Sequence, residues 1–78
     1  MTKTKLFSEP ELAALAKQFR EEAGRTKIEA AQELAVGRPA VQLAEENPEQ
    51  SLTSLRIRMI ERYSGFKVVG PLYQLNKK

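Results

Sequence analysis

Two short helices are predicted within residues 26–48, whose sequence is TKIEAAQELAVGRPAVQLAEENP. Thr26 and Glu29 have the spacing of a capping box, in which each side chain accepts a hydrogen bond from the other residue's backbone amide. A helix is therefore expected to start near Lys27. About eight residues fit before Ala35-Val36-Gly37 interrupts the pattern. The expected buried face of this helix consists of Ile28, Ala31 and Leu34.

The next helix follows this interruption directly. It is predicted to run from about Arg38 or Pro39 to Glu46, and its inward side to consist of Ala40, Val41 and Ala44. Asn47-Pro48 ends it, because the residue before a proline is pushed out of the helical region. Two helices this short form a poor folding unit alone, so a longer helix is expected on each side to cover them.

The flanking segments supply those two longer helices. Ser8 and Glu11 repeat the capping-box spacing and start a first helix, which Gly24 ends. Its apolar stripe consists of Leu12, Leu15, Ala16, Phe19 and Ala23. Ser51 is expected to cap a fourth helix over about 52–63, with a core stripe of Leu52, Leu55, Met59, Ile60 and Tyr63. The basic residues off that stripe are Arg56, Arg58 and Arg62.

The tail after Gly65 changes character. Residues 66–75 are rich in aromatic and β-branched residues and are predicted to be extended. Gly70-Pro71 leaves two alternatives, one edge strand or a hairpin within the chain. A single strand has unpaired backbone groups that a second copy of the chain can satisfy across a two-fold axis, which predicts a homodimer. The residues expected at that interface are Ile57, Phe66, Val68, Leu72 and Tyr73.

Composition narrows the function classes. The chain has 78 residues, enough for one small domain, and has no cysteine and no histidine. Disulfides and thiolate metal sites are thereby excluded, and the commonest general base is missing. We therefore expect no cofactor, no metal and no enzymatic activity. Neither a signal-peptide core nor a membrane-spanning apolar run is present in the sequence, so a cytoplasmic protein is expected.

The charge is distributed unevenly along the chain. Residues 1–37 hold six basic and six acidic residues, whereas residues 38–78 hold seven and four, which places the whole net charge of +3 there. A mildly basic half is compatible with nucleic acid. The expected organisation is an N-terminal arm over 1–7, a helical domain over 8–65, and a strand with a basic tail over 66–78.

Residues 12–55 resemble the helix-turn-helix region of phage repressors, Cro proteins and xenobiotic-response-element regulators. The matching residues are Phe19, Arg20, Gly24, Thr26, Ala31, Leu34, Val36, Val41, Glu45, Asn47 and Pro48. The resemblance implies a mostly α, lambda-repressor-like bundle of four to five helices with a C-terminal β-strand. It also implies a sequence-specific transcriptional regulator, a repressor that binds a palindromic operator in double-stranded DNA as a dimer.

The same resemblance implies roles for individual residues. Contacts with base edges in the major groove are assigned to Arg38, Pro39 and Gln42. An arginine side chain can make paired hydrogen bonds to guanine, and a glutamine side chain can make them to adenine. DNA phosphates are assigned to Thr26, Lys27 and Gly37, because helix N-termini attract anions. Arg20 and Glu45 match a structural ion pair that ties the first helix to the end of the third.

Three departures from the family pattern and one competing function accompany this interpretation. Ala35 stands where a glycine is usual, at a cost of about 1 kcal/mol for left-handed backbone. Gly37 replaces a serine cap, and Pro39 allows the helix to start at Pro39 with Arg38 as its cap.

The alternative function is a protein-interaction module of the same fold, such as the antitoxin of a toxin–antitoxin pair. It predicts that the largest exposed apolar patch binds a protein partner.

Overall fold

The computed structural model describes residues 7–69 and 73–77. Over these ranges it contains four helices followed by one pair of antiparallel strands. The helices are α1 (Glu9–Glu22), α2 (Lys27–Leu34), α3 (Arg38–Glu46) and α4 (Thr53–Tyr63), and the strands are β1 (Phe66–Val69) and β2 (Gln74–Lys77). The prediction of a mostly helical chain is confirmed, whereas the C-terminal segment forms two strands instead of one.

Side-chain caps determine where the first two helices begin. Ser8 and Glu11 form the predicted capping box of α1, and Thr26 and Glu29 form that of α2. The expected cap of α4 is wrong, because that helix starts after Leu52 without a side-chain cap. Ser51 instead lies in a tight bend, in which the amide of Leu52 donates to the carbonyl oxygen of Gln50 over 2.8 Å.

The core is formed where α1 and α4 pack along each other and α2 and α3 close over them. Its fully or nearly buried apolar residues are Leu12, Ala16, Ala30, Ala31, Leu34, Val41, Ala44, Leu55, Met59, Ile60 and Val68. Two expectations about this core are wrong. Ile28 is 52% exposed and Ala30 is buried in its place, because the inner face of α2 runs through Ala30, Ala31 and Leu34. Ala23 is exposed because it lies beyond the last residue of α1.

The C-terminal segment folds back on itself as a hairpin. Phe66 pairs with Lys77 and Val69 with Gln74 in an antiparallel register. The prediction of one lone strand is therefore wrong, and the alternative of a hairpin within the chain is correct. The proposed turning point, Gly70-Pro71, lies outside the described residues. Val68 is 8% exposed and completes the helical core, so the hairpin is packed against the helices.

The hairpin also removes the reason for a strand-mediated dimer. The amide groups on the outer edge of β1 are bonded within the chain, Phe66 to the Ser64 hydroxyl over 3.1 Å and Val68 to the Glu61 carboxylate over 2.9 Å. Of the residues assigned to the dimer interface, Val68 is buried in the core, and Ile57 and Tyr73 are partly buried against it. Phe66 is also partly buried, and the centre of its ring lies 6.1 Å from that of Phe19. Leu72 lies outside the described residues. The dimer itself stays a prediction.

None of the helices in the described part of the chain is both long and apolar enough to cross a membrane.

Candidate nucleic-acid interface

The start of α2 is fixed by its capping box. The Thr26 hydroxyl accepts a hydrogen bond from the Glu29 amide over 3.1 Å, and the Glu29 carboxylate accepts one from the Thr26 amide over 2.9 Å. The hydrogen bond from the Thr26 backbone amide is the main cause of a lowered pKa of Glu29, and the Thr26 side chain lowers it further. The amides of Lys27 and Ile28 come next along the chain, in the first turn, where backbone donors have no partner within a helix.

The turn between α2 and α3 consists of residues 35–37. Ala35 has the left-handed backbone expected for this position, with φ 57° and ψ 44°. Its amide donates to the carbonyl oxygen of Gln32, and the Val36 amide donates to that of Ala31 over 3.0 Å. This pair of bonds is the Schellman arrangement that commonly ends helices at a glycine. Ala35 therefore ends α2 in the manner of a glycine, at the cost of left-handed strain in a residue with a Cβ.

Helix α3 begins at Arg38, with Gly37 as its N-cap and Pro39 in its first turn. The alternative start at Pro39, with Arg38 as the cap, is wrong. Gly37 has no side chain with which to cap the helix, and its extended backbone, φ −77° and ψ 151°, turns the chain into α3. Gly37, Arg38 and Pro39 are all exposed.

The starts of α2 and α3 lie on either side of one surface depression of about 450 Å³. Its lining residues are Arg20, Thr26, Lys27, Ile28, Arg38 and Gln42. The structure thus brings together four of the six residues assigned to DNA contact, namely Thr26, Lys27, Arg38 and Gln42. The other two, Gly37 and Pro39, do not line the depression, although each is adjacent in the chain to Arg38.

One of these cations, Lys27, already forms an ion pair within the chain. The Lys27 ammonium lies 2.6 Å from the carboxylate of Glu46 at the other end of α3. This bond is the largest cause of the lowered pKa of Glu46. The two side chains are 31% and 47% exposed, so water competes for both and the pair is weak. A phosphate that approaches Lys27 would replace Glu46 or share the ammonium with it.

Arg20, which lines the depression, forms a buried ion pair with Glu45. The Arg20 guanidinium donates to both Glu45 carboxylate oxygens, at 2.5 Å from Nε and 2.9 Å from Nη2, and donates from Nη1 to the Arg25 carbonyl oxygen over 2.7 Å. The hydrogen bond to Glu45 is the main cause of the raised pKa of Arg20. The two side chains are 7% and 0% exposed. This pair joins α1 to the C-terminal half of α3.

Sequence reasoning missed a second buried arginine. Arg56 was expected on the polar face of α4, but it is completely buried. Its guanidinium donates to the carbonyl oxygens of Ala44 and Asn47 over 2.9 and 2.8 Å, and to the Glu9 carboxylate over 2.9 Å. It therefore satisfies acceptors at the C-terminal end of α3. A spacing signal was present, since Arg56 lies three and four residues before the buried Met59 and Ile60.

Glu9, the first residue of α1, bonds to both Arg56 and Thr53 of α4. Its second carboxylate oxygen accepts a hydrogen bond from the Thr53 hydroxyl over 2.7 Å. That bond is the first cause of the lowered pKa of Glu9, and the Tyr73 and Arg56 side chains lower it further.

Two large apolar side chains are exposed on the described surface, Ile28 at 52% and Leu43 at 40%. Ile28 lines the depression beside Arg38 and Gln42. Leu43 lies one helical turn after Pro39, so both residues share the outer face of α3. Sequence reasoning assigned no role to Leu43, and the signal that could have found it was an apolar residue off the Ala40, Val41 and Ala44 face.

A second charged cluster surrounds Glu33. Its carboxylate accepts a hydrogen bond from the Tyr63 hydroxyl over 2.5 Å and lies 3.1 Å from Arg25 and 3.5 Å from Arg62. Burial, reinforced by Glu33, raises the pKa of Tyr63 to about 12, and the Tyr63 hydrogen bond lowers the pKa of Glu33. These residues line a depression of about 510 Å³. The one carboxylate balances one of the two arginine charges.

No protein-family model, curated protein or solved structure matches this chain. What the described residues define is a small four-helix protein with a C-terminal antiparallel hairpin. One of its surface depressions lies between the starts of α2 and α3.

Proposed function

We propose that this protein is a sequence-specific DNA-binding regulator of the helix-turn-helix class, related in design to phage repressors. Helix α3 would enter the major groove of the DNA, and α2 would cross the sugar-phosphate backbone beside that groove. The observation that carries the proposal is the shared depression between the two helix starts. Polar and cationic side chains from both helices converge there, and a turn of only three residues, 35–37, separates the helices.

Each exposed group has a role in this proposal. Arg38 and Gln42 lie one helical turn apart on α3, and both side-chain types can make paired hydrogen bonds to a single base. Thr26 and Lys27 would contact the sugar-phosphate backbone, where the positive end of the α2 dipole favours an anion. Gly37 and Pro39, exposed at the start of α3, would allow close approach and contribute no side-chain donor.

Phosphate neutralisation would supply much of the affinity, and α3 would supply the sequence preference. A bound regulator of this kind represses by occluding a promoter. Binding to a palindrome as a dimer is part of the proposal. It now needs an interface other than the pairing of a lone C-terminal strand, because that segment is bonded within the chain.

Selection of bound duplexes from a random DNA library tests the proposal directly. We expect a defined motif, and its symmetry and half-site spacing report whether a dimer binds. Lys27→Ala should then weaken binding to all sequences about equally, whereas Lys67→Ala, which removes an exposed lysine from β1, should have little effect. If the unmodified protein enriches no sequence and binds no duplex at low salt, the proposal is wrong.

The second candidate is a protein-interaction module of the antitoxin type. The exposure of Ile28 and Leu43 favours it, because a contiguous exposed apolar patch is typical of a partner-binding surface and these two residues could contribute to one. These residues lie on or beside the surface that the DNA proposal uses, so exposed apolar area alone does not separate the two functions. Absence of any DNA binding in the selection would favour this candidate.

A further inference from the structure

Ile28 occupies an unusual position for an isoleucine. It is the second residue of α2, where it is 52% exposed, and a β-branched side chain there adds nothing to helix propensity. The capping box formed by Thr26 and Glu29 starts the helix without it. The core therefore does not account for its apolar character.

The surroundings of Ile28 indicate what it could contact. It lines the same depression as Arg20, Lys27, Arg38 and Gln42, so it shares this surface with three cationic side chains and an amide. A complementary ligand presents an anion, hydrogen-bonding edges and one apolar group within a short distance. The major groove offers that combination at thymine, whose C5-methyl group is the apolar feature among the base edges.

On this basis we propose that Ile28 is a specificity-determining residue that contacts the C5-methyl group of a thymine beside the base bound by Arg38 or Gln42. The inference rests on the proposed function and adds to it a base preference carried by α2. It predicts that a thymine in each half-site is required for its methyl group rather than for its hydrogen bonds.

The experiment uses the full chain and the duplex obtained by selection. Each thymine is replaced in turn by uracil, which keeps the hydrogen-bonding pattern and lacks only the methyl group. Loss of one buried methyl contact is expected to weaken binding about fourfold at one position. The same series is measured with Ile28→Thr and with Ile28→Val, because the threonine and valine side chains have nearly the same shape but differ in polarity.

If Ile28 contacts the methyl group directly, the effects of Ile28→Thr and of replacing that thymine by uracil are not independent. Ile28→Thr should weaken binding to the thymine duplex about fourfold or more, and should cause no further loss on the uracil duplex at that position. Ile28→Val should retain most of the preference for thymine. As a matched control, Leu43→Thr removes the other exposed apolar side chain, which does not line the depression, and should not couple to the same thymine.

The outcomes distinguish this inference from the proposed function. If the unmodified protein binds a defined motif but the losses from Ile28→Thr and from uracil multiply at every thymine, the inference is overturned and the function stands. If the unmodified protein binds no duplex, both are overturned. Thermal unfolding of the Ile28 variants should match that of the unmodified protein within a few degrees, because the side chain is half exposed.

Discussion

Neighbouring glutamates on α3 offer a stringent test of the ion-pair network. Glu45→Gln removes the charge from a side chain that is 0% exposed and bonded twice to Arg20, itself 7% exposed. Glu46→Gln makes the same chemical change one residue later, in a side chain that is 47% exposed and bonded to Lys27. The two variants differ mainly in burial, so each serves as the reference for the other.

The expected magnitudes follow from solvent access. Removing one partner of a buried ion pair leaves a charge without compensation and costs about 3–5 kcal/mol. We expect about 3 kcal/mol for Glu45→Gln, because the amide oxygen can still accept one bond from Arg20. An exposed pair contributes about 0–1 kcal/mol, which bounds the effect of Glu46→Gln. A domain of 78 residues has a total stability of only about 4–12 kcal/mol, so the first loss is a large part of it.

Urea and thermal unfolding, followed by far-ultraviolet circular dichroism, measure both variants. For a domain this small, about 3 kcal/mol corresponds to a fall of about 12–24 °C in the unfolding midpoint. Arg20→Met combined with Glu45→Gln should recover part of the loss, because no buried charge remains. A Glu45→Gln protein no less stable than Glu46→Gln would refute the view that burial makes this pair important.

The remaining predictions concern binding, buried polar contacts and pH. Arg38→Ala should weaken binding to the selected duplex by about 1–3 kcal/mol and relax the preference at one base pair, and binding of the unmodified protein should fall steeply with salt in a filter-binding titration. Arg56→Lys should lower the free energy of unfolding by about 3 kcal/mol, whereas Arg58→Lys, at an exposed side chain, should cost under about 1 kcal/mol in the same urea titration. The folded-state pKa of Tyr63 is raised to about 12, so its stabilising effect should be lost as the pH rises from about 10 to 12, a loss that Tyr63→Phe should remove. The pKa of Glu33 is lowered on folding, so the stability that Glu33 contributes should be present above its unfolded pKa near 4.5 and be lost as the pH falls below it. Unfolding measured across pH 2–6 should show this loss, and Glu33→Gln should abolish it.

Local rules predicted the boundaries of the first three helices well. Capping boxes at Ser8 and Thr26 depend on side chains three residues apart, so they can be recognised without knowledge of the fold. The stop at Asn47 is local in the same sense. The left-handed position of Ala35 was instead supplied by the resemblance to the helix-turn-helix family. Ser51 misled because serine caps turns as readily as helices, and the hydrogen bonds of residues 47–52 are made in a turn.

Burial within a short helix was harder to predict. Eight residues of α2 cover just over two turns, and adjacent small residues such as Ala30 and Ala31 leave the orientation of the buried face undetermined. Ile28 was taken as buried because it is apolar and has helical spacing with Ala31 and Leu34. The fold instead needs small residues where α2 crosses its neighbours, so Ala30 is buried and Ile28 is exposed.

Long-range polar contacts were predicted only where a resemblance supplied them. The pairing of Arg20 with Glu45 spans 25 residues and came from the family pattern. The contact of Arg56 with Glu9 spans 47 residues. The spacing of Arg56 from Met59 and Ile60 could have indicated its burial, but nothing local indicated its partner. The link from Lys27 to Glu46 was missed for the same reason, although both residues had been noted separately. The hairpin was one of two alternatives, because pairing depends on a turn whose shape the sequence did not determine.

The two buried arginines anchor one end of α3, and its other end is exposed. Arg20, from α1, holds Glu45 near the end of α3, and Arg56, from α4, binds the carbonyl oxygens of Ala44 and Asn47. Both anchors act within the last turn of α3 or just beyond it. Its first turn, by contrast, begins at a glycine without a side-chain cap and exposes Arg38. A helix anchored at its C-terminal end and exposed at its start can place its early side chains against a ligand without losing the contacts that orient it. That arrangement suits the proposed insertion of α3 into the major groove, and it predicts that changes at the anchors reduce binding through stability, whereas changes at Arg38 reduce binding alone.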